Sequence, residues 1–376
     1  MSITDFFSKD ELERYNRQFI LPEFGEEAQT NLKNAKVLVV GAGGLGAPLL
    51  LYLTAAGVGT IGIIDDDKVE LSNLHRQVLF STDKIGSVKA SEAAIQLKKL
   101  NPHVHFKIYN EKLTSENALA ILQEYDLVAD GTDNFPTRYL VNDACVLLKI
   151  PNIYASIYRY EGQVSVFNML NEDGSRGPNY RDLFPDPPAP DSVPNCAEGG
   201  VLGVLAGIIG SMQASEAIKV ITGIGEPLNG RLFIIDTLSF ETRTIKYSNS
   251  DYSTMITELI DYEEFCGTRQ NTPYEVNEIT VQELNQLIKN GDDFQLIDVR
   301  TEFEHHIDNI GGLLIPLGNL VNRIGDVECD KKVVVYCKVG VRSMEAILHL
   351  QSVYSFNNLY NLQGGIQSYR KKFGRT

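Results

Sequence analysis

The stretch from residue 36 to residue 67 constrains the fold more than any other part of the chain. It reads KVLVV, then GAGGLG at 41–46, an apolar run over 47–56, TIGII over 60–64, and the acidic triplet Asp65-Asp66-Asp67. A short β-branched run without polar alternation is the pattern of a strand buried on both faces, which calls for a parallel sheet covered by helices. Two such runs flanking a helix-length apolar segment form a βαβ unit, whose crossover is right-handed in nearly all cases. The glycines stand where strand passes into helix. They allow close approach of a ligand to the backbone, and the helix N-terminus behind them favours an anion. Gly41, Gly43 and Gly46 fit G-x-G-x-x-G, and Asp65, nineteen residues after the last glycine, is placed to hold a ribose hydroxyl. By these residues alone the site suits NAD or another nucleotide, or is a glycine turn with no ligand.

The alternation continues. Strand and helix candidates at 104–108, 118–123, 127–129 and 144–149 extend an α/β doubly wound sheet of Rossmann-like type, and 11–32 carries helix signals. Residues 171–195 break the pattern with a proline-rich loop, of a length that inside a compact domain is functional or mobile. An apolar helix candidate comes next at 201–221, then strands at 231–236 and 242–247. The last hundred residues start a new α/β alternation, with helices at 281–289 and 343–350 and strands at 295–299 and 332–336. The expected organisation is a large domain over 1–247, a connection over 248–274 and a small α/β domain over 275–376.

Charge narrows the partners. A net charge of −15 argues against nucleic acid, whose backbone is bound by clustered positive charge. No run of 18 apolar residues suggests a membrane span, and the start MSITDFFSKDELERYNRQ is unlike a signal or transit peptide, so a cytoplasmic location is expected. The five cysteines, Cys145, Cys196, Cys266, Cys329 and Cys337, are odd in number and widely spaced, which reads as free thiols rather than a disulfide framework.

The residues after the acidic triplet decide between nucleotides. Asn73, Arg76 and Gln77 in DKVELSNLHRQ, and Lys89 in GSVKA, crowd polar and cationic groups where dinucleotide sites rarely have them. A triphosphate requires such groups, because several negative charges must be neutralised while one phosphate is attacked. DGTDN at 130–134 adds carboxylates at the end of the next apolar strand, placed to hold Mg²⁺.

RYNRQ (14–18), GAGGLG, DDDKVELSNLHRQ, GSVKA, DGTDN and NCAEGGVLG, in order over roughly residues 10–247, resemble the E1-like adenylating enzymes. That family includes the ubiquitin-activating enzymes and the bacterial MoeB- and ThiF-type activators. The resemblance implies ATP-dependent adenylation of the C-terminal glycine of a ubiquitin-like sulfur carrier protein ending in Gly-Gly. It implies an ATP site formed by Gly41, Gly43, Gly44, Gly46, Asp65, Asp67, Asn73, Arg76, Gln77, Lys89 and Asn134, with Asp133 as the magnesium-side acid. Arg76, Lys89 and Asp133 are then the catalytic residues of this half. The arginine at the position of Arg17 reaches the partner subunit's ATP site in the family, which implies a homodimer.

Cys196, in NCAEGGVLG, matches a cysteine that fused members of the family use for covalent capture of the activated carrier. The alternative is a packing thiol near a helix start, where the helix N-terminus would also favour a thiolate. MoeB-type enzymes hold zinc with two C-x-x-C pairs. Here the matching positions read Asn179-Tyr180-Arg181-Asp182 and Ser248-Asn249-Ser250-Asp251, so zinc is not expected, and what ties the loop down is open.

In the last hundred residues the apolar run 333–336 leads into Cys337-Lys338-Val339-Gly340-Val341-Arg342-Ser343 and then a helix. A cysteine in a tight loop opening a helix is surrounded by backbone N–H groups, which stabilise a thiolate or persulfide anion. LIDVR at 296–300, EFEHHI at 302–307 and QGG at 363–365 make the segment 276–373 resemble the rhodanese domain. Its loop is C-x4-R, one residue shorter than the C-x5-R that encircles phosphate in phosphatases of related fold, and the resemblance implies persulfide carriage at Cys337. An upstream persulfide donor, such as a cysteine desulfurase, is then required. The resulting expectation is an adenylyltransferase with sulfurtransferase activity, serving molybdopterin synthesis, thiamine synthesis or tRNA thiolation. The other readings are an NAD-dependent oxidoreductase, disfavoured by Asn73, Arg76 and Lys89, and a non-catalytic scaffold, disfavoured by intact Arg17, Arg76, Lys89, Asp133 and Cys337.

Overall fold

A computed structural model describes residues 3–188, 200–250, 256–267 and 276–374. The chain divides into two compact units, Met1–Arg269 and Gln270–Thr376.

The first unit is built on an eight-stranded sheet ordered β3-β2-β1-β4-β5-β6-β7-β8. Its strands are β1 (Lys36–Val40), β2 (Thr60–Ile64), β3 (His105–Tyr109), β4 (Leu127–Asp130), β5 (Asn152–Tyr158), β6 (Glu161–Phe167), β7 (Arg231–Asp236) and β8 (Thr242–Lys246). Strands β1 to β5 are parallel, and β6, β7 and β8 run on antiparallel from β5. The apolar runs that predicted buried strands are buried: Val37, Leu38, Val39, Ile61 and Ile63 are fully enclosed. Each such side chain contributes about 1.5–3 kcal/mol relative to exposure.

The β5–β6 hairpin was not anticipated from the sequence. Its turn residue Arg159 sits at φ +53, without a glycine or asparagine to announce it. The helix Gly203–Thr222 is long and apolar enough to cross a membrane by length and composition. Here it packs on β5, β6 and the helix Gly46–Ala56. Its Gln213 is buried and donates to the carbonyls of Asp130 and Ile153, a pairing that a core helix can make.

The segment 248–274, expected as a connection, is partly built into the first unit. Tyr262 and Cys266 are buried in its core, and the Tyr262 hydroxyl donates to Asp143 Oδ2 at 2.8 Å. The reason is an amphipathic turn, Tyr262–Phe265, capped by Asp261, which a reading of composition alone takes for loop.

The second unit has a five-stranded parallel sheet ordered β11-β10-β12-β13-β9. Its strands are β9 (Asn277–Ile279), β10 (Gln295–Asp298), β11 (Leu313–Leu314), β12 (Val333–Tyr336) and β13 (Leu359–Leu362). The expected strands at 295–299 and 332–336 are β10 and β12. The expected helices are Val281–Asn290 and Val341–Tyr354. Strands β9 and β11 are too short to give a pattern, and β13 (LYNL) carries the polar Asn361 within its apolar run. All of β12 is buried, so Cys337 emerges from the middle of the sheet with its side chain enclosed.

Candidate active site

The glycine turn is shaped by contact rather than by flexibility. Gly41 has φ +91, in the left-handed region, and a Cβ on Gly46 would lie 2.0 Å from the Gly41 carbonyl oxygen. The first turn of the helix Gly46–Ala56 therefore sits directly on the end of β1. Asp65, at the end of β2, accepts from the amides of Ala42 (2.7 Å) and Asp67 (2.9 Å). A carboxylate has about four acceptor positions, so two remain for a ligand hydroxyl. Burial pushes the Asp65 carboxyl above its usual range, countered by Lys89 and the two amides.

Around this turn lies a cavity of ≈ 660 Å³. Its walls include Gly41, Gly43 and Gly44 from the turn, Asp65 and Asp67 just after β2, Asn73, Arg76 and Gln77 from the next segment, Lys89, and Asp133 and Asn134 beyond β4. The residues singled out in the sequence between 41 and 134 are thus brought together, Gly46 supporting the turn from behind.

Lys89 is buried and opens the helix Lys89–Leu100, where the helix dipole disfavours a cation; Asp67 Oδ2 at 2.7 Å compensates it. Arg76 rests on neutral acceptors, donating to His75 Nε2 (2.9 Å) and the Ser72 carbonyl (3.3 Å). Burial and the Arg76 charge hold the His75 imidazole below its usual range, which keeps that nitrogen an acceptor. Asn73 Oδ1 receives the Glu70 amide, and Asn134 caps the helix Phe135–Leu148 by receiving the Thr137 amide. Gln77 is buried over Gly43, and its Oε1 has no hydrogen bond among the described residues.

Arg138, in this wall, was not singled out from the sequence for a role. Arg138 is buried in the first turn of the helix Phe135–Leu148, donating to the Thr132 carbonyl (3.0 Å) and Ser156 Oγ (3.3 Å). Its Nε lies 3.9 Å from Asp130 Oδ2, and neither atom has a hydrogen bond among the described residues. Burial pushes the Asp130 carboxyl up, countered first by Arg138.

Arg17 is exposed on the short helix Asn16–Phe19 and does not line the cavity of its own chain. Cys196 lies outside the described residues. The chain beyond it returns beside the cavity: a Cβ on Gly203 would meet the His75 carbonyl, next to Arg76.

The segment Asn179–Asp182 and Ser250 are joined by hydrogen bonds. Asp182 Oδ1 receives the Ser250 amide (2.8 Å) and hydroxyl (2.6 Å), while its Oδ2 receives the Asn179 amide. Arg181 forms a two-pronged pair with buried Asp143 at 2.9 and 2.7 Å and lies over the Phe265 ring. This network fastens the stem of the proline-rich loop.

In the second unit Cys337 ends β12 and is buried. The Gly340 amide points at its sulfur, 3.1 Å from Sγ, and the Ser343 hydroxyl lies 3.5 Å from it. Gly340 has φ +102, which turns the loop so that its N–H faces inward. A Cβ on Gly365 would fall 2.4 Å from the Cys337 carbonyl, so the QGG segment closes the floor. Arg342 leans out of the loop onto Glu304, with distances of 2.8 and 2.7 Å. Lys338 is half-buried, and Val339 and Val341 are exposed on the rim. His305 Nδ1 meets buried Asp298 at 2.9 Å, and Arg300 fills the rest of that carboxylate; this cluster braces the end of β10.

Comparison with known proteins agrees with this geometry. Residues 15–254 match the ThiF family and residues 280–372 the rhodanese-like domain. The chain is 46% identical over 371 residues to a probable adenylyltransferase/sulfurtransferase MoeZ of Mycobacterium tuberculosis, covering 97% of this chain and 94% of that one. It is 54% identical over 270 residues to a sulfur carrier protein adenylyltransferase of Thermus thermophilus, covering 70% of this chain and 99% of that one. Among solved structures it resembles PaaA, with TM-score 0.56 and 26% identity over 65% of this chain and 76% of that one. The chain belongs to the ThiF family of E1-like enzymes and carries a rhodanese-like domain after it, an adenylyltransferase joined to a sulfurtransferase.

Proposed function

We propose that this enzyme adenylates the C-terminal carboxylate of a ubiquitin-like sulfur carrier protein ending in Gly-Gly, and then converts that carboxylate to a thiocarboxylate. One observation carries the reading. A cavity with a glycine turn and cations that include Arg76, Lys89 and Arg138 occurs in one chain with a buried cysteine whose loop points an amide at its sulfur.

A carboxylate is a poor electrophile because its oxygen leaves badly. Attack of the carrier's terminal oxygen on the α-phosphorus of ATP gives an acyl adenylate and expels pyrophosphate. Gly41, Gly43 and Gly44 let the nucleotide approach the backbone, and Asp65 offers its remaining lone pairs to the ribose. Lys89 would leave Asp67, and Arg76 would leave its neutral partners, for the phosphate oxygens; such preplaced charge is the largest usual contribution to catalysis of this kind. Asp133, exposed in the wall, is a hard oxygen donor suited to Mg²⁺, which when bound would supply charge neutralisation at the phosphates. Arg17 would complete the cavity of the other subunit in a homodimer.

Cys196 would capture the acyl group as a thioester, releasing AMP. An upstream persulfide donor, such as a cysteine desulfurase, would charge Cys337. The terminal sulfur of that persulfide then attacks the acyl carbon and frees the Cys196 thiolate. Attack of that thiolate on Cys337 Sγ releases the carrier thiocarboxylate and leaves a Cys196–Cys337 disulfide for external thiols to reduce. The hydrogen bonds through Asp182 and Ser250 would replace zinc in holding the loop stem.

The test is ATP–pyrophosphate exchange in the presence of each small Gly-Gly protein of the cell, followed by intact mass of the carrier. Exchange dependent on one carrier, with a mass gain matching oxygen replaced by sulfur, is the expected result. Exchange with none of them would overturn the reading.

A further inference from the structure

Behind Cys337 lies a chain of polar atoms that the persulfide scheme does not use. Cys337, Ser343 and Asn361 are 1%, 0% and 2% exposed, and Asn361 stands on β13, paired in register with Val335 of β12. The Ser343 hydroxyl lies 2.6 Å from Asn361 Oδ1, 3.1 Å from the Gly340 carbonyl and 3.5 Å from Cys337 Sγ. It has one proton for three acceptors, and in a buried site an acceptor left without a donor is costly.

The best use of that proton depends on the charge of the sulfur. Beside a neutral thiol, Ser343 donates to Asn361 Oδ1 by the shortest contact, and its lone pairs are free to receive the thiol proton. Beside a thiolate or persulfide anion the hydroxyl proton is needed at sulfur, which would strand Asn361 Oδ1. A half-turn of the Asn361 amide removes the conflict by presenting Nδ2–H to the Ser343 oxygen. Nδ2 makes no hydrogen bond among the described residues, so the turn breaks nothing on that side.

We propose that Asn361 is a positioning residue for the sulfur chemistry of Cys337. Through Ser343 it supplies a hydrogen-bond chain that reverses direction when the sulfur becomes an anion. With the thiol the chain runs S–H to Oγ, then Oγ–H to Oδ1. With the anion it runs Nδ2–H to Oγ, then Oγ–H to S⁻, while the Gly340 amide donates in both states. An amide is the side chain suited to this place, because it accepts at one end and donates at the other; an ionised carboxylate only accepts. The proposal rests on the reading of Cys337 as the sulfur-carrying thiol.

The test is the pH dependence of Cys337 alkylation by iodoacetamide in the full-length chain, read from the mass of the peptide containing Cys337. Asn361→Ala is expected to move the midpoint up by about one pH unit, because the Ser343 hydroxyl that donates to the anion loses the donor behind it. Asn361→Asp, nearly the same shape, should move it further, and it covers the case in which the alanine variant does not fold. Ser343→Ala should shift the midpoint at least as far as Asn361→Ala, and Ser343→Thr, which keeps the hydroxyl, should restore it. A merely structural role would change the rate at every pH and leave the midpoint in place, as would wild-type profiles in both Asn361 variants, and either result overturns the proposal. Alkylation needs neither carrier nor sulfur donor. A wild-type enzyme that transfers no sulfur would therefore defeat the functional reading while the Asn361 result stands on its own.

Discussion

Two loops of this molecule use the same supersecondary element in opposite ways. In each, a buried parallel strand ends, a glycine-bearing loop turns, and a helix begins: β1 into Gly46–Ala56, and β12 into Val341–Tyr354. The first opens onto a cavity of ≈ 660 Å³ whose charged walls come from segments spread between residues 41 and 138. The second closes on one sulfur atom with donors from its own seven residues, 337–343. The size of the ligand explains the difference. A nucleotide triphosphate is too large for one loop, so side chains must be gathered from several, and each is lightly held: Arg76 on neutral acceptors, Lys89 on the largely exposed Asp67. A single sulfur is encircled by backbone, and the loop's arginine is committed elsewhere, to Glu304.

If the loops are independent, they can be broken one at a time. Cys337→Ala is expected to abolish thiocarboxylate formation, measured by carrier mass, while leaving pyrophosphate exchange at the wild-type rate. Loss of exchange in that variant would contradict the division of labour. Lys89→Ala should do the reverse. Exchange should fall roughly 10²–10³-fold, as for removal of one preplaced charge-stabilising donor, with the Cys337 alkylation rate unchanged. A fall of less than tenfold would mean that Lys89 serves the fold through Asp67 and not the phosphates.

Gly46→Ala probes the support behind the first loop. Its Cβ would sit 2.0 Å from a backbone carbonyl that cannot rotate away, so the helix must shift. Overpacking of this kind costs about 1–3 kcal/mol, readable as a lower urea midpoint, and the displaced turn should raise the KM for ATP. The comparable substitution at Gly340 meets nothing closer than 3.4 Å, but is strained by φ +102. An equal loss at both positions would erase the distinction between a loop fixed by contact and one fixed by dihedral angle.

The same contrast governs what could be read from the sequence. Gly41, Gly43, Gly46 and Cys337 announce themselves because loop, strand and helix are contiguous. Arg76 and Lys89 were legible as a dense run of polar groups that a dinucleotide does not need, Asp133 as a carboxylate at the end of the next apolar strand, and all three through the family resemblance. Arg138 went unassigned because a buried arginine has no periodic signature; it is recognised by Asp130 and Thr132 across the cavity wall. Asn361, the outer partner of Ser343, was equally silent, since it arrives from β13; Glu304 was quoted within EFEHHI, but its pairing with Arg342 was not legible. The β5–β6 hairpin was missed because Arg159 makes its turn in a conformation usually left to glycine or asparagine.

The smallest expected effect tests whether Arg342 is truly committed. Burial pushes the Glu304 carboxyl up, but Arg342 and the Thr301 cap outweigh it and hold it at about 2, below the ordinary 4.5. A carboxylate lowered in the folded chain stabilises that state above its unfolded value and loses the contribution as pH falls through its folded value. The pair should therefore be at full strength above pH 4.5 and gone near pH 2. Hydrogen exchange of the amides between residues 338 and 343 reads this directly. Wild type should be better protected than Glu304→Gln at neutral pH, and the gap should close only below pH 4.5. A gap that is absent at pH 7, or that stays constant down to pH 2, would show that Arg342 does not depend on Glu304. It would then be as free as Arg76, and the two loops would differ in size but not in how they hold their cations.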